Sequence, residues 1–308
     1  MNKNTKLSVI LAGLILVSVF ISLTGREDNR QSFDPQMFTV MDTSMIESVV
    51  ISSTKVNEIT RKKGIWRLNN NFNADLNMIE VMKSILSQVK VKRPVAKLNQ
   101  VDIINDLKQT GKKVTVNYSD GSASSFVAGG NSSKKDSYYM IDDKAYLVEI
   151  PGYNNYISGI FELTENQWRD RVLFSTTWRS LQSLNINYTD GEEDLDVFFD
   201  EKFLAVKGVS KLDTTLLMDY IGQYQYFQIN DFLEKGKYKK YDSLFQTDHM
   251  AVITINDIDR SKNRKLQVYP LMKGENFYLL TDEKQEMMVI DSKRMDNLLS
   301  KKAQFISK

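Results

Sequence analysis

The feature that most constrains the fold is an ordered pattern that occurs twice. In "MIESVVISST", "KVNEITRKK" and "GIWRLNN", short β-branched and aromatic runs read as three strands, with Lys62-Lys63-Gly64 as a turn. An Asn-rich turn follows, then Asp75 as a helix N-cap. Leu76, Ile79, Met82, Leu86 and Val89 then recur at helical spacing. "VKVKRPVA" is extended, and "NQVDIINDLKQTG" is a second helix with Gly111 as its C-cap. Hairpins come next, with turn signals at Asp120-Gly121, Gly129-Gly130-Asn131 and Asp142-Asp143. "GYNNYISGIFELTENQWRDRVLF" closes this half as helical turns.

The same order begins again at "WRSLQSLNINYTDGEEDLDVFFDEKFLAVKG". Asp213 takes the capping place, with Leu216, Leu217, Tyr220, Ile221 and Tyr224 on the helix behind it. Tyr138-Tyr139-Met140 answers to Phe277-Tyr278-Leu279, and Val148-Glu149-Ile150 to Val289-Ile290-Asp291. Identity between the halves is low but the order persists, which is the mark of a tandem repeat. The expected class is α+β: an N-terminal transmembrane helix, then two tandem related domains of mostly antiparallel sheet with packed helices. The boundaries read as a cytoplasmic N-terminus at 1–6, an anchor at 7–24, a linker at 25–44, and repeat domains at 45–174 and 175–308.

The anchor follows from "MNKNTKLSVILAGLILVSVFISLTGRED". Residues 7–24 carry no charge and, as a helix, span about 27 Å, near the hydrocarbon thickness of a bilayer. Lys3 and Lys6 precede the run, while Glu27 and Asp28 follow Arg26, so the bulk of the chain is expected outside the cytoplasm. This reading makes the protein single-pass, held in the membrane by its N-terminal segment. A cleaved signal peptide is the rival, and either reading leaves residues 30–308 extracytoplasmic.

Composition excludes several function classes. Lys and Arg number 41 against 39 Asp and Glu, and the surplus equals Lys3 and Lys6. The remainder is balanced, which gives a nucleic-acid partner no electrostatic support. Cysteine is absent and His249 is the only histidine, so thiolate chemistry and multi-histidine metal sites are excluded and a Ser-His-Asp triad is disfavoured. Ser132-Ser133-Lys134-Lys135 has the serine–x–x–lysine spacing but none of the partner motifs of that chemistry. "AGGN" at 128–131 lacks the lysine and hydroxyl of a phosphate loop. The acidic run 190–201 alternates with Leu195, Val197 and Phe199, as a charged sheet edge does. Asp170, between Arg169 and Arg171, has no recognisable carboxylate partner. No catalytic, cofactor-binding or metal-ligating residue is therefore assigned. Tyr138, Tyr153, Tyr156, Tyr224 and Tyr226 are the candidate interaction surface, because aromatics are frequent at interfaces. The competing reading of the aromatic residues, Trp66 included, is core packing. Trp66 aligns with Phe203-Leu204 in the second half and is expected to be buried.

An apolar anchor, two copies of strand–strand–"GIWRL"–turn–capped helix, hairpins ending in "YLVEI", and "WRDR" before the second copy together resemble a bacterial family, domain of unknown function 4340. The resemblance covers nearly all of the chain after the anchor. The second copy departs from it by lacking the tryptophan. The resemblance implies an envelope protein that accompanies an ABC-type transport system, including those tied to gliding motility, and supplies no catalytic residues. The expected function is thus a non-enzymatic interaction scaffold auxiliary to an ABC-type transporter, with other envelope proteins as further partners. An envelope module that binds peptide or glycan is the alternative, and a hydrolase of unknown type the second alternative.

Overall fold

A computed structural model describes residues 13–15, 17–18, 33–189, 191, 193–200 and 203–307. Most of the expected anchor, 7–24, lies outside the described residues. Among the described residues no helix is long and apolar enough to cross a membrane.

The first strands are β1 (Ile46–Ser52), β2 (Val56–Lys62), β3 (Ile65–Leu68) and β4 (Phe72–Asn73), followed by α1 (Leu76–Gln88). Lys63 and Gly64 both take positive φ, as a two-residue hairpin between β2 and β3 demands. Next come β5 (Lys90–Pro94), α2 (Lys97–Thr110), β6 (Lys112–Tyr118), β7 (Ala123–Gly130), β8 (Ser137–Ile141), β9 (Lys144–Glu149), α3 (Glu165–Trp168) and β10 (Val172–Phe174). The second series is β11 (Leu181–Tyr188), β12 (Leu195–Asp200), β13 (Phe203–Val206), α4 (Thr214–Gly222), β14 (Phe227–Gln228) and β15 (Asp231–Leu233). It continues with α5 (Lys239–Leu244), β16 (Ala251–Asp257), β17 (Arg264–Val268), β18 (Phe277–Asp282), β19 (Met287–Asp291) and α6 (Ser292–Leu298). The fold is α+β, built mainly of antiparallel sheet.

One sheet runs β4-β3-β2-β1-β6-β7-β8-β9-β5, and the other β13-β12-β11-β16-β17-β18-β19-β15. With β4 set aside, the two have the same order. Registers agree as well: Ile59 faces Leu68 across β2–β3, and Val197 faces Val206 across β12–β13. β3 and β13 share one burial pattern, in which Trp66 and Leu204 point inward while Ile65 and Phe203 point out. Trp66 is 7% exposed, as a core side chain should be.

Each half also closes in the same way. The Asp75 carboxylate accepts from the Asn77 and Met78 N–H groups, and the Asp213 carboxylate from that of Leu216. The backbone N–H of Asp75 donates to the carbonyl of Trp168, and that of Asp213 to Phe305. Both aromatic side chains are fully buried. Bridges Ala74–Arg169 and Leu212–Ile306 continue these contacts.

The chain forms two compact units. The smaller takes in the described part of 1–45 with Lys83–Val114 and Ser124–Gly159; the larger takes in Ile46–Met82, Thr115–Ala123 and 160–307. In the larger unit, Leu184, Ile186, Val197, Leu217, Ile253, Leu266 and Ile290 belong to one apolar core. In the smaller, Phe38 meets Phe126, Tyr139 and Tyr146 edge-on, and Phe126 stacks on Tyr139.

Two local expectations change. Gly111 does cap α2, but with φ −60°, so left-handed freedom is not why glycine is there. A Cβ at this position would lie 2.3 Å from the Leu107 carbonyl oxygen and 2.6 Å from Val127 Cγ1, so space is the reason. Gly129 and Gly130 belong to strand β7 rather than to a turn. A Cβ on Gly130 would strike the Tyr156 ring at 2.2 Å, and one on Gly129 would strike Leu107 at 2.7 Å.

Candidate functional site

The five tyrosines divide between the two units. Tyr138, Tyr153 and Tyr156 belong to the smaller unit, Tyr224 and Tyr226 to the larger. Tyr224 is a correction: it is 1% exposed, its hydroxyl is 2.8 Å from that of Tyr220, and both hydroxyls reach the Leu298 carbonyl. It lies in the turn that follows α4 rather than on the helix, and its ring packs beside Phe174 in the core. Tyr138 is half-buried against the Val95, Leu107 and Met140 cluster. Tyr156 packs on Gly130, with Lys134 Nζ 5.0 Å above its ring. Tyr153 lines a shallow cleft beside the Lys92–Glu149 ion pair, and Tyr226 is exposed.

The motifs set aside in the sequence have structural uses. Asn131 Oδ1 accepts from the Lys135 and Asp136 N–H groups and from the Ser133 hydroxyl, which makes the serine–lysine segment a solvated loop. The carbonyl of His249 accepts from the Thr189 hydroxyl. In the acidic run, Asp190, Glu192 and Glu201 lie outside the described residues. Asp194 and Asp196 accept from Asn187 and Asn185 along the strand edge. Among the described residues no group of three or more acidic or histidine side chains could hold a metal ion.

The chemistry-bearing residues concentrate in a cleft of about 400 Å³ in the larger unit. Its walls come from the β3–β4 turn, residues 169–173, the start of β17, and the β18–β19 turn. Six cationic and four acidic side chains line it. Arg169 forms its floor. Its guanidinium is sandwiched between the rings of Phe72 and Phe232, 3.8 and 3.6 Å from their centroids. Nη1 and Nη2 donate to Glu286 Oε1 and Oε2 at 2.6 and 2.8 Å, a bidentate pair. In the second half Ile306 takes the corresponding bridge position, so the arginine has no counterpart there.

Arg171 is held far more loosely. Nη1 is 3.4 Å from the Asn230 carbonyl, Nη2 is 3.8 Å from Asp75 Oδ2, and Nε is buried without a hydrogen-bond partner. Arg264 donates to the Ser261 and Asn263 carbonyls at 2.8 and 2.7 Å, both neutral acceptors. Asp170 accepts from the Val172 N–H, and burial, with Asp75 nearby, pushes its carboxyl above the ordinary value. A polar cleft of this kind can recognise a charged ligand. Sequence reasoning saw "WRDR" but not its partners: Glu286 lies 117 residues from Arg169.

A second feature of the larger unit is apolar. Trp178, Phe199, Phe203 and Leu216 are 48%, 43%, 77% and 43% exposed. All but Leu216 line a groove of about 240 Å³ with Leu204, Leu217 and Met218. It lies at β13, the edge of the eight-stranded sheet; β4 covers the matching strand β3.

No curated protein and no solved structure matches the chain. The family model for a domain of unknown function, DUF4340, matches residues 66–242, more than half of the sequence and including Trp66, both capping aspartates and "WRDR". The chain is a member of the DUF4340 family.

Proposed function

We propose that the protein is a single-anchor envelope protein whose folded part is a non-enzymatic interaction module. Residues 7–24 hold it in the bacterial inner membrane, and the rest faces the extracytoplasmic side. Its partner is an ABC-type transporter or a gliding-motility-type system, as the family resemblance implies. The shared strand order of the two sheets supports reading 45–174 and 175–308 as duplicated copies.

The observation that carries the interaction reading is the aromatic groove at β13. Isolated exposed apolar side chains are ordinary, but several converging on a groove beside an open sheet edge mark a surface that another protein covers. The test is crosslinking in membranes of cells that express the full chain, followed by identification of the captured proteins. A transporter subunit should be recovered and should be lost with Phe203→Asp, whose side chain is outside the core. Recovering no transporter or envelope component refutes the reading. For topology, a reporter active only outside the cytoplasm, fused after Lys308, should be active; a signal confined to cytoplasmic reporters overturns the orientation.

The second reading, a module that binds an envelope ligand, is favoured by the charged cleft around Arg169.

A further inference from the structure

The cleft beside Arg169 holds more positive charge than its own carboxylates neutralise. Glu286 is committed to Arg169 through both oxygens. Asp282 Oδ1 accepts from the Lys284 and Glu286 N–H groups and so closes its own turn. With the Arg169–Glu286 pair set aside, Asp170, Asp282 and Glu283 stand against Arg67, Arg171, Arg264, Lys265 and Lys284. Arg67 is occupied by Asn73 Oδ1 and the Asn71 carbonyl, both neutral. Lys265 and Lys284 stand exposed at the rim.

Arg171 is the informative residue. A guanidinium presents five donors in a rigid plane, and each left without an acceptor in a partly buried place is costly. Here the two terminal nitrogens reach acceptors only at 3.4 and 3.8 Å, and Nε has none. Arg169, two residues away, has a carboxylate at 2.6 and 2.8 Å. The contrast lies between a guanidinium gripped by a bidentate carboxylate and one whose nearest carboxylate, that of Asp75, stands 3.8 Å away. Arg264 lines the same cleft; its hydrogen bonds go to neutral carbonyls, and the Asp170 carboxylate is near enough to feel its charge.

We propose that this cleft binds a small polyanion bearing two or more carboxylate or phosphate groups, gripped by Arg171 and Arg264 with Lys265 and Lys284 at the mouth. Guanidinium planes match both kinds of oxyanion through paired hydrogen bonds. A cleft of about 400 Å³ has room for more than one such group. Asp170 lies in the same cleft and opposes an anion there, so it sets the affinity from the repulsive side. The inference stands apart from the interaction reading, because the aromatic groove shares no residue with this cleft.

Calorimetric titration of the full chain in detergent with citrate, and separately with pyrophosphate, tests it. Saturable binding to at least one is expected. Citrate alone assigns carboxylate chemistry and pyrophosphate alone phosphate chemistry. Arg171→Gln and Arg264→Gln should each weaken binding about tenfold or more, the loss of a charge-assisted contact. Asp170→Asn should tighten it, and Lys273→Gln, outside the cleft, should leave it unchanged. Should Arg171→Gln fail to fold, Arg264→Gln and Asp170→Asn still decide the matter by their opposite signs. Absence of binding to both probes at millimolar concentration overturns the proposal. So does equal weakening in every cationic variant, Lys273→Gln included, or weaker binding in Asp170→Asn.

Discussion

Glu286→Gln should destabilise the protein more than Arg169→Met, although it changes fewer atoms. The Arg169 side chain is 8% exposed and that of Glu286 32%. Taking the charge from Glu286 leaves a guanidinium buried between two rings, with an amide in place of its counter-ion. Breaking a fully buried pair in this way costs roughly 3–5 kcal/mol. Because Glu286 is about one-third exposed, water recovers part of that, and about 2–3 kcal/mol remains. Arg169→Met removes the charge and keeps a flexible apolar stem between Phe72 and Phe232, while Glu286 can turn to solvent; about 1–2 kcal/mol is expected. The double variant should match Arg169→Met, since without the guanidinium the charge at 286 has no counterpart. Urea denaturation is the assay, because guanidinium salts screen the interaction being measured. If Arg169→Met is the more damaging of the two, ring stacking rather than the ion pair holds this floor, and the reasoning fails.

Trp66→Ala should cost roughly 3–5 kcal/mol, and Leu204→Ala, at the matching position of the second half, roughly 2–5 kcal/mol; an unchanged melt in either would deny that position a core role. Asp213→Ala should cost about 1 kcal/mol through the lost helix cap, read by urea denaturation, and a neutral result would refute the capping role. Burial works to raise the Asp257 carboxyl, but hydrogen bonds from Thr176, Ser180 and the Asp259 N–H, with Lys262 nearby, hold it below the ordinary carboxylate value. The folded protein then binds that proton less readily than the unfolded chain. The stabilisation is present at neutral pH and is lost as pH falls below about 4. Asp257→Asn should flatten the acid limb of a stability–pH profile; an unaltered limb would show that Asp257 contributes nothing to it.

What was legible in the sequence was local or periodic. The capping aspartates, the Lys63-Gly64 and Asp142-Asp143 turns and the inward-facing Ile79, Met82, Leu86 and Val89 follow from spacing alone. Leu76 fits the same spacing yet is 64% exposed. The cleft was not legible. It depends on Arg169 meeting Glu286 and on β17 arriving beside Asp170, contacts between residues far apart in the chain. The tyrosines misled for a related reason. Tyrosine serves cores and surfaces alike, and only the turn after α4, where the helix stops short of Tyr224, carries that ring inward.

The two hydrogen bonds from Asp75 to Trp168 and from Asp213 to Phe305 have a consequence for the order of events during synthesis. Each half's first helix waits for an aromatic residue made about ninety residues later. The first half receives its closing residue while the second is still being made. The second receives Phe305 only after all of its strands and α6 have been made, so until then its core is open at one end. Released chains truncated after residue 180 should therefore already protect the Asp75 helix, whereas chains truncated after residue 300 should leave the Asp213 helix accessible to protease.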